Sequence, residues 1–381
     1  MRRHPVLTVI LVVISLIAAG CGSVSMLPDG RVLFLEMGVK GRVYDPTTGQ
    51  TVAAGAMQVP RVLSSWSSLA DGRVLVAGGG GAENTVLAAA ELFDPATMTS
   101  AATGSMITGR ALHTATLLQD GRVLVAGGGI LDMSSTGSGA TFDSAEIYDP
   151  ATGTFSATGP MTMARTLHAA TRLADGRVLI VGGNDVPSAE VYDPAPGTFS
   201  AVAAPPDLRL FASSTLLADG RVLVVGGMAG SGDLTAVDQT AKPIATALLY
   251  DPAADTWTAT GDLNVPRLIA AAIALPDARV LIAGGSQELV STSGDQPGGA
   301  LIAELYDPAT GLFTPTGSLH KTRGGFAVLL SDGRVLVAGA QTEGQAASEP
   351  GKDPIFTSGE IWDPSTGEWT EVAFKVPGKK K

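Results

Sequence analysis

The chain has 381 residues, 48 of them glycine, and a formal net charge of −11. Its length would allow several conventional domains, and the acidic balance argues against a nucleic-acid partner, which needs a basic stripe. The single cysteine, Cys21, excludes an intrachain disulfide.

In chain order, the first element is a targeting segment, Met1–Cys21, which is kept apart from the fold. Arg2 and Arg3 supply a positive end, and Pro5–Ile17 is an apolar run too short for a comfortable membrane span. Leu16–Cys21, reading LIAAGC, resembles a bacterial lipoprotein signal, although Ala18 stands where Leu is more usual. The resemblance implies removal of residues 1–20, a diacylated Cys21 as the new N-terminus and a membrane-anchored, extracytoplasmic protein. Residues 21–23 would form the lipidated N-terminus. An uncleaved anchor helix is the alternative. Simple secretion leaves the lone cysteine at the end of the signal without a purpose.

From Val24 onward two markers alternate. The turn DGRVL starts at Asp29, Asp71, Asp120, Asp175, Asp219 and Asp332, with DARVL at Asp277 as a seventh copy. An aromatic residue followed by Asp-Pro occurs at Tyr44, Phe93, Tyr148, Tyr192, Tyr250, Tyr306 and Trp362. Successive DGR turns lie 42 to 58 residues apart, the length of a four-stranded sheet with tight turns and one variable loop. Asp-Gly between apolar runs marks a hairpin, because Gly reaches positive φ at little cost. Asp-Pro ends a strand, because Pro has no N–H for the ladder.

Each repeat reads as four strands, A to D. In the fourth repeat strand A is His168–Leu173, B is Arg177–Val181 closed by Gly182-Gly183, and C is Ala189–Tyr192. Strand D carries an aromatic at Phe155, Phe199, Trp257, Phe313 and Trp369; Thr51 and Thr99 take that place in the first two repeats, whose outer strands should pack less well. Seven such sheets bury their faces by closing radially. The run Arg165-x-x-His168, Gly182-Gly183, Tyr192, Phe199 resembles the kelch repeat. The expected fold is therefore all-β: a seven-bladed β-propeller of four-stranded antiparallel kelch-type blades over residues 24–376, with 377–381 as a basic tail. Repeats one and seven depart from the Gly pair, with Met37-Gly38 and Gly339-Ala340. The first repeat also lacks the Arg that precedes the turn by ten residues in most other repeats. Its blade should be truncated, with a short inner strand and weak closure.

The A–B and C–D turns are uniform and share one face. The B–C loops vary, from Asn184–Ser188 in repeat four to Gly129–Ser144, Met228–Thr246, Ser286–Ile302 and Gln341–Ser358 elsewhere. Variable loops on a rigid scaffold are where binding lives. Arg61, Arg110, Arg165, Arg209, Arg267 and Arg323 recur at the start of strand A on that same face, and because strand A is innermost they would ring the channel mouth. They would hold a carboxylate or phosphate there, or pair with a neighbouring Glu or carbonyl and serve blade-to-blade packing.

Catalytic chemistry is sparse. His4 is in the signal, His113 and His168 share one repeat slot, and His320 stands before Lys321, so no pair has metal-ligand spacing. Nucleophile-elbow, Walker and sialidase Asp-box sequences are absent. Galactose oxidase is a kelch-propeller enzyme whose copper site uses a Cys–Tyr crosslink. With no cysteine inside the propeller, that cofactor and that activity are not expected, nor is any other cofactor or metal. The reading is a monomeric, non-catalytic envelope module that recognises a protein or glycan through the B–C loops and meets the membrane through Cys21. A carbohydrate-active or sugar-epimerase-like enzyme with a channel-mouth site, or a purely structural envelope protein, is the alternative.

Overall fold

A computed structural model describes residues 22–36, 40–82, 85–130, 139–229, 242–287, 300–321, 323–339 and 358–375. They form seven four-stranded antiparallel sheets arranged as a propeller, each built from one continuous segment with its strands in chain order from the axis outward. In blade four these strands are Ala169–Arg172, Val178–Val181, Ala189–Asp193 and Thr198–Val202. The other blades run from Gly22 to Ala54, Ser65 to Ala102, Thr114 to Ala157, Ser213 to Ala259, Ala271 to Ser318 and Phe326 to Ala373.

The second strand of blades two to seven is a short run of Val, Leu, Ile and Ala with no polar alternation, and that of blade one is VLFLE. Both faces of its sheet meet a neighbouring blade, so every side chain of Val123–Ala126 or Val178–Val181 is buried. The core is therefore seven wedges between successive blades. Leu118, Leu124 and Ile147 of blade three, for example, pack on Val178, Ile180 and Tyr192 of blade four. The third and outer strands are clasped by cross-strand aromatic pairs such as Tyr148–Phe155 and Tyr192–Phe199, with ring centroids 4.8 Å apart. In blade two the residue opposite Phe93 is Ser100 and not Thr99, so the register sets the sequence expectation right by one position. Thr51 does lie opposite Tyr44.

The DGR turn closes on itself. The Asp carboxylate accepts from the Arg backbone N–H and from its Nε, as in Asp29–Arg31 and Asp332–Arg334. That guanidinium holds the Asp29, Asp219, Asp277 and Asp332 carboxyls below the usual range. The central glycines have φ between 82° and 91°. In the seventh copy Ala278 adopts the same left-handed conformation at φ 71°. An L-residue is strained there, so Ala278→Gly should stabilise the protein by about 1 kcal/mol. A urea midpoint that fails to rise would contradict this.

Blade one corrects the expectation of a short inner strand. Gly22–Met26 is five residues long, against four in the other inner strands, and pairs along its whole length with Val32–Glu36. Strand pairing needs only a complementary ladder, which the second strand supplies without the missing Arg. The truncation is confined to that lost Arg. The expected weak closure is replaced by a packed seam. Phe374, just beyond the outer strand of blade seven, lies 4.4 Å from the Phe34 ring and 5.2 Å from that of Tyr44. Arg42 Nη1 donates to the Phe374 carbonyl at 2.7 Å, and Leu330, Leu336 and Ile361 complete the cluster.

Candidate functional site

The two ends of the propeller differ. The A–B and C–D turns make a turn face. The B–C loops and the crossings that lead from one blade's outer strand to the next inner strand make a loop face. The six recurrent arginines sit in these crossings.

All six are 3% exposed or less. In five blades the guanidinium pairs with a buried Glu on the third strand of its own blade: Arg61–Glu91 at 2.8 Å, Arg110–Glu146 at 3.0 Å, Arg165–Glu190 at 2.8 Å, Arg267–Glu304 at 2.7 Å and Arg323–Glu360 at 2.8 Å. In Arg61, Arg110, Arg165, Arg209 and Arg267 an N–H also goes to the first carbonyl of the Gly pair, at Gly78, Gly127, Gly182, Gly226 and Gly284, while Arg323 donates to the Ser358 carbonyl. The Glu also accepts backbone N–H groups from the crossing, such as Gln58 and Val59 on Glu91 or Asn264 and Val265 on Glu304. Each Arg–Glu pair thus pins the crossing onto its blade. Burial pulls the Arg110, Arg165 and Arg267 pKa values down, and the Glu partner opposes this in each case.

The arginines stand around the loop end, but their side chains run outward to the second and third strands. A carboxylate or phosphate ligand would have to displace the Glu already in place. The Arg–Glu pairs lie within one blade. Contact between blades uses the arginine's main chain: the second glycine of each pair donates to the next blade's Arg carbonyl, as in Gly79→Arg110, Gly128→Arg165, Gly183→Arg209 and Gly227→Arg267. Blade five departs from the rule. Leu248 occupies the Glu slot, and Arg209 turns to Asp207 at 2.7 Å, whose side chain is 37% exposed. In blade one that slot holds Arg42.

Two residues beyond each of five arginines, Leu63, Leu112, Leu167, Phe211 and Ile269 have φ between 55° and 58°. Bulky residues pay for the left-handed region. The conformation is held by N–H bonds that pass from blade to blade, Leu112→Leu63, Phe211→Leu167 and Ile269→Phe211. This apolar collar was not legible in the sequence, because nothing in the residue types signals positive φ.

His113 and His168 are framework groups. Their Nε2 atoms meet Ser65 Oγ at 2.7 Å and Thr114 Oγ1 at 2.9 Å on the preceding inner strands. Burial, reinforced by Arg110 and by His168, pushes His113 down to about 3. Burial and Arg165 do the same to His168. A Cβ on Gly78 would come within 2.8 Å of His113 Cε1, so the preceding blade's glycine makes room for the ring. His320 is more exposed and bonds Glu360 through Nδ1 at 2.8 Å.

Of the loop aromatics, Phe142 lies under the Arg110 guanidinium at 5.6 Å, while Phe356 lies outside the described residues. Trp362 and Trp369 are buried, and Trp257 is half-buried. Cys21 and the tail from 377 also lie outside the described residues, as do Asp132, Asp233, Asp238 and Asp295 of the long loops.

With this geometry the class of fold is a seven-bladed β-propeller. No protein-family model matches the sequence, and no curated protein matches it. The fold is similar to that of a fungal alcohol oxidase of the AA5 family solved in complex with copper, with a TM-score of 0.69 and 20% identity over 93% of this chain and 76% of that one. It is also similar to YjhT, with a TM-score of 0.60 and 16% identity over 78% of this chain and 96% of that one. These likenesses are of fold. The residues present do not fit copper: the described residues contain no group of three His, Cys, Asp or Glu able to hold a metal. His113 and His168 spend Nε2 on hydroxyls, and the one cysteine precedes the first blade.

Proposed function

We propose that the chain is a non-catalytic recognition module of the cell envelope: a kelch-type propeller, anchored as a lipoprotein through Cys21, that binds a protein or extracellular glycan through its B–C loops. The observation that carries this is the contrast between scaffold and loops. Each recurrent Arg, the five paired Glu, the turn Asp groups and His113 and His168 have at least one internal partner. The B–C loops alone vary, from Asn184–Ser188 to Gln341–Ser358.

A thermal-shift screen of residues 22–381, which contain all seven blades, tests the reading. Neutral sugars, acidic sugars, peptidoglycan fragments and phosphate are the probes. A ligand at one hundred times its Kd should add about 2.7 kcal/mol of stability. A shift with a glycan that the protein leaves chemically unchanged is the expected result, and turnover of the sugar would overturn the non-catalytic reading. The small-molecule alternative has one specific support, the half-exposed Asp207 partner of Arg209. A shift confined to acidic sugars and lost in Asp207→Asn would favour that site.

A further inference from the structure

We propose that the loop face rests on the lipid surface, with the propeller axis close to the membrane normal and the turn face pointing away. The proposal builds on the reading of residues 1–21 as a membrane-anchoring segment, and it narrows the partners of the B–C loops to those within reach of the headgroups.

The first observation is where the anchor joins the fold. The inner strand Gly22–Met26 runs from the loop face to the turn at Asp29. Gly22 is therefore its loop-face end, and Cys21 is the next residue back. A lipid on Cys21 stands one residue, about 3.6 Å of chain, from that end. If the segment is instead retained uncleaved, the five residues from Ile17 to Gly22 reach about 18 Å at most. A five-residue strand is itself about 17 Å long. Either tether is too short to pass round the outside of the blades and present the turn face to the bilayer.

The second observation is the chemical difference between the ends. Seven large apolar side chains are exposed among the described residues, and five of them are on the loop face: Ile107, Ile130, Val186, Leu301 and Ile302, between 38 and 66% exposed. Ile107 is in a crossing, and the others are in B–C loops or at the loop-face start of a third strand. The turn face carries seven partly exposed Asp–Arg pairs, from Asp29–Arg31 to Asp332–Arg334. Apolar side chains gain by entering the interfacial region, whereas charged groups lose hydration there. The loop face also carries exposed Asp143, Asp185 and Lys242, so it is mixed and not purely apolar; the anchor position and the placing of the exposed apolar side chains favour the same end.

The test uses the full-length protein in phosphatidylethanolamine–phosphatidylglycerol membranes. Val186→Cys and Ala195→Cys place a reporter at opposite ends of one blade, in the B–C loop and in the C–D turn, both at exposed positions. Each is labelled with an environment-sensitive fluorophore, with the wild type as the control for labelling at Cys21. The Val186 probe should shift to the blue and be quenched by spin-labelled lipid, and the Ala195 probe should do neither. Quenching at Ala195 equal to or greater than that at Val186, or none at either position, overturns the orientation while co-flotation with the membrane keeps the anchor reading. Failure of the full-length protein to co-float overturns both.

Discussion

Replacing Glu304 by Ala should lower the unfolding free energy by about 3 to 5 kcal/mol, the usual cost of stranding one member of a buried ion pair. Glu304 is fully buried and accepts from Asn264 N, Val265 N and Arg267 Nη2. Without it a guanidinium and two backbone N–H groups are left in a site closed to water. Charge is the larger part of the effect, so Glu304→Gln, which keeps one acceptor, should lose less. Blade five shows what the scaffold requires: Leu248 is tolerated at this slot because Asp207 takes over the arginine. Urea unfolding at neutral pH measures the loss, and a value under about 1 kcal/mol would mean the pairs are dispensable.

Acidification should destabilise the protein before its carboxylates titrate. His113 and His168 have folded pKa values of about 3 against an ordinary 6.5. Between those values the unfolded chain binds protons that the folded one refuses, so stability falls as pH falls. Their contribution is complete above pH 6.5 and declines steadily towards pH 3. At pH 5 each ring costs about 2 kcal/mol and the pair about 4. Asp and Glu of an unfolded chain titrate near pH 4, so they contribute little to the fall between pH 7 and pH 5. The double variant His113→Ala, His168→Ala should be less stable at pH 7 but flatter from pH 7 to 5; Ala212 already fills the same slot in blade five. A wild-type drop that persists undiminished in the double variant would assign it elsewhere.

Blade number, strand order and turn chemistry were legible because every strand end carries its own marker. The Asp-Gly-Arg and aromatic-Asp-Pro signals fix where the chain reverses, and the apolar second strand fixes what is buried. The direction of the arginines was less visible. Arg165 precedes its inner strand and is not part of it, so the position of the strand at the axis says nothing about where that side chain goes. The signal that could have found its partner was co-occurrence: Glu stands two residues before the aromatic in the blades whose Arg lacks another acid. Where Leu248 breaks that pattern, Asp207 appears two residues before Arg209. The inner strand of blade one was misjudged because its length was counted from the missing Arg and not from the second strand that pairs with it.

The seam at Phe374 has a consequence for how the molecule assembles and comes apart. Each blade is a run of successive hairpins, so its own contacts are local and should form quickly. Only the last junction must bring residue 34 beside residue 374. It closes a loop of nearly the whole chain, and the entropy of that step is recovered only once the Phe34–Tyr44–Phe374 cluster is packed. Because no strand is shared between blades seven and one, parting them breaks no sheet ladder. The ring should therefore behave as a split washer: it closes last, and when stressed it springs at one place while its blades stay folded.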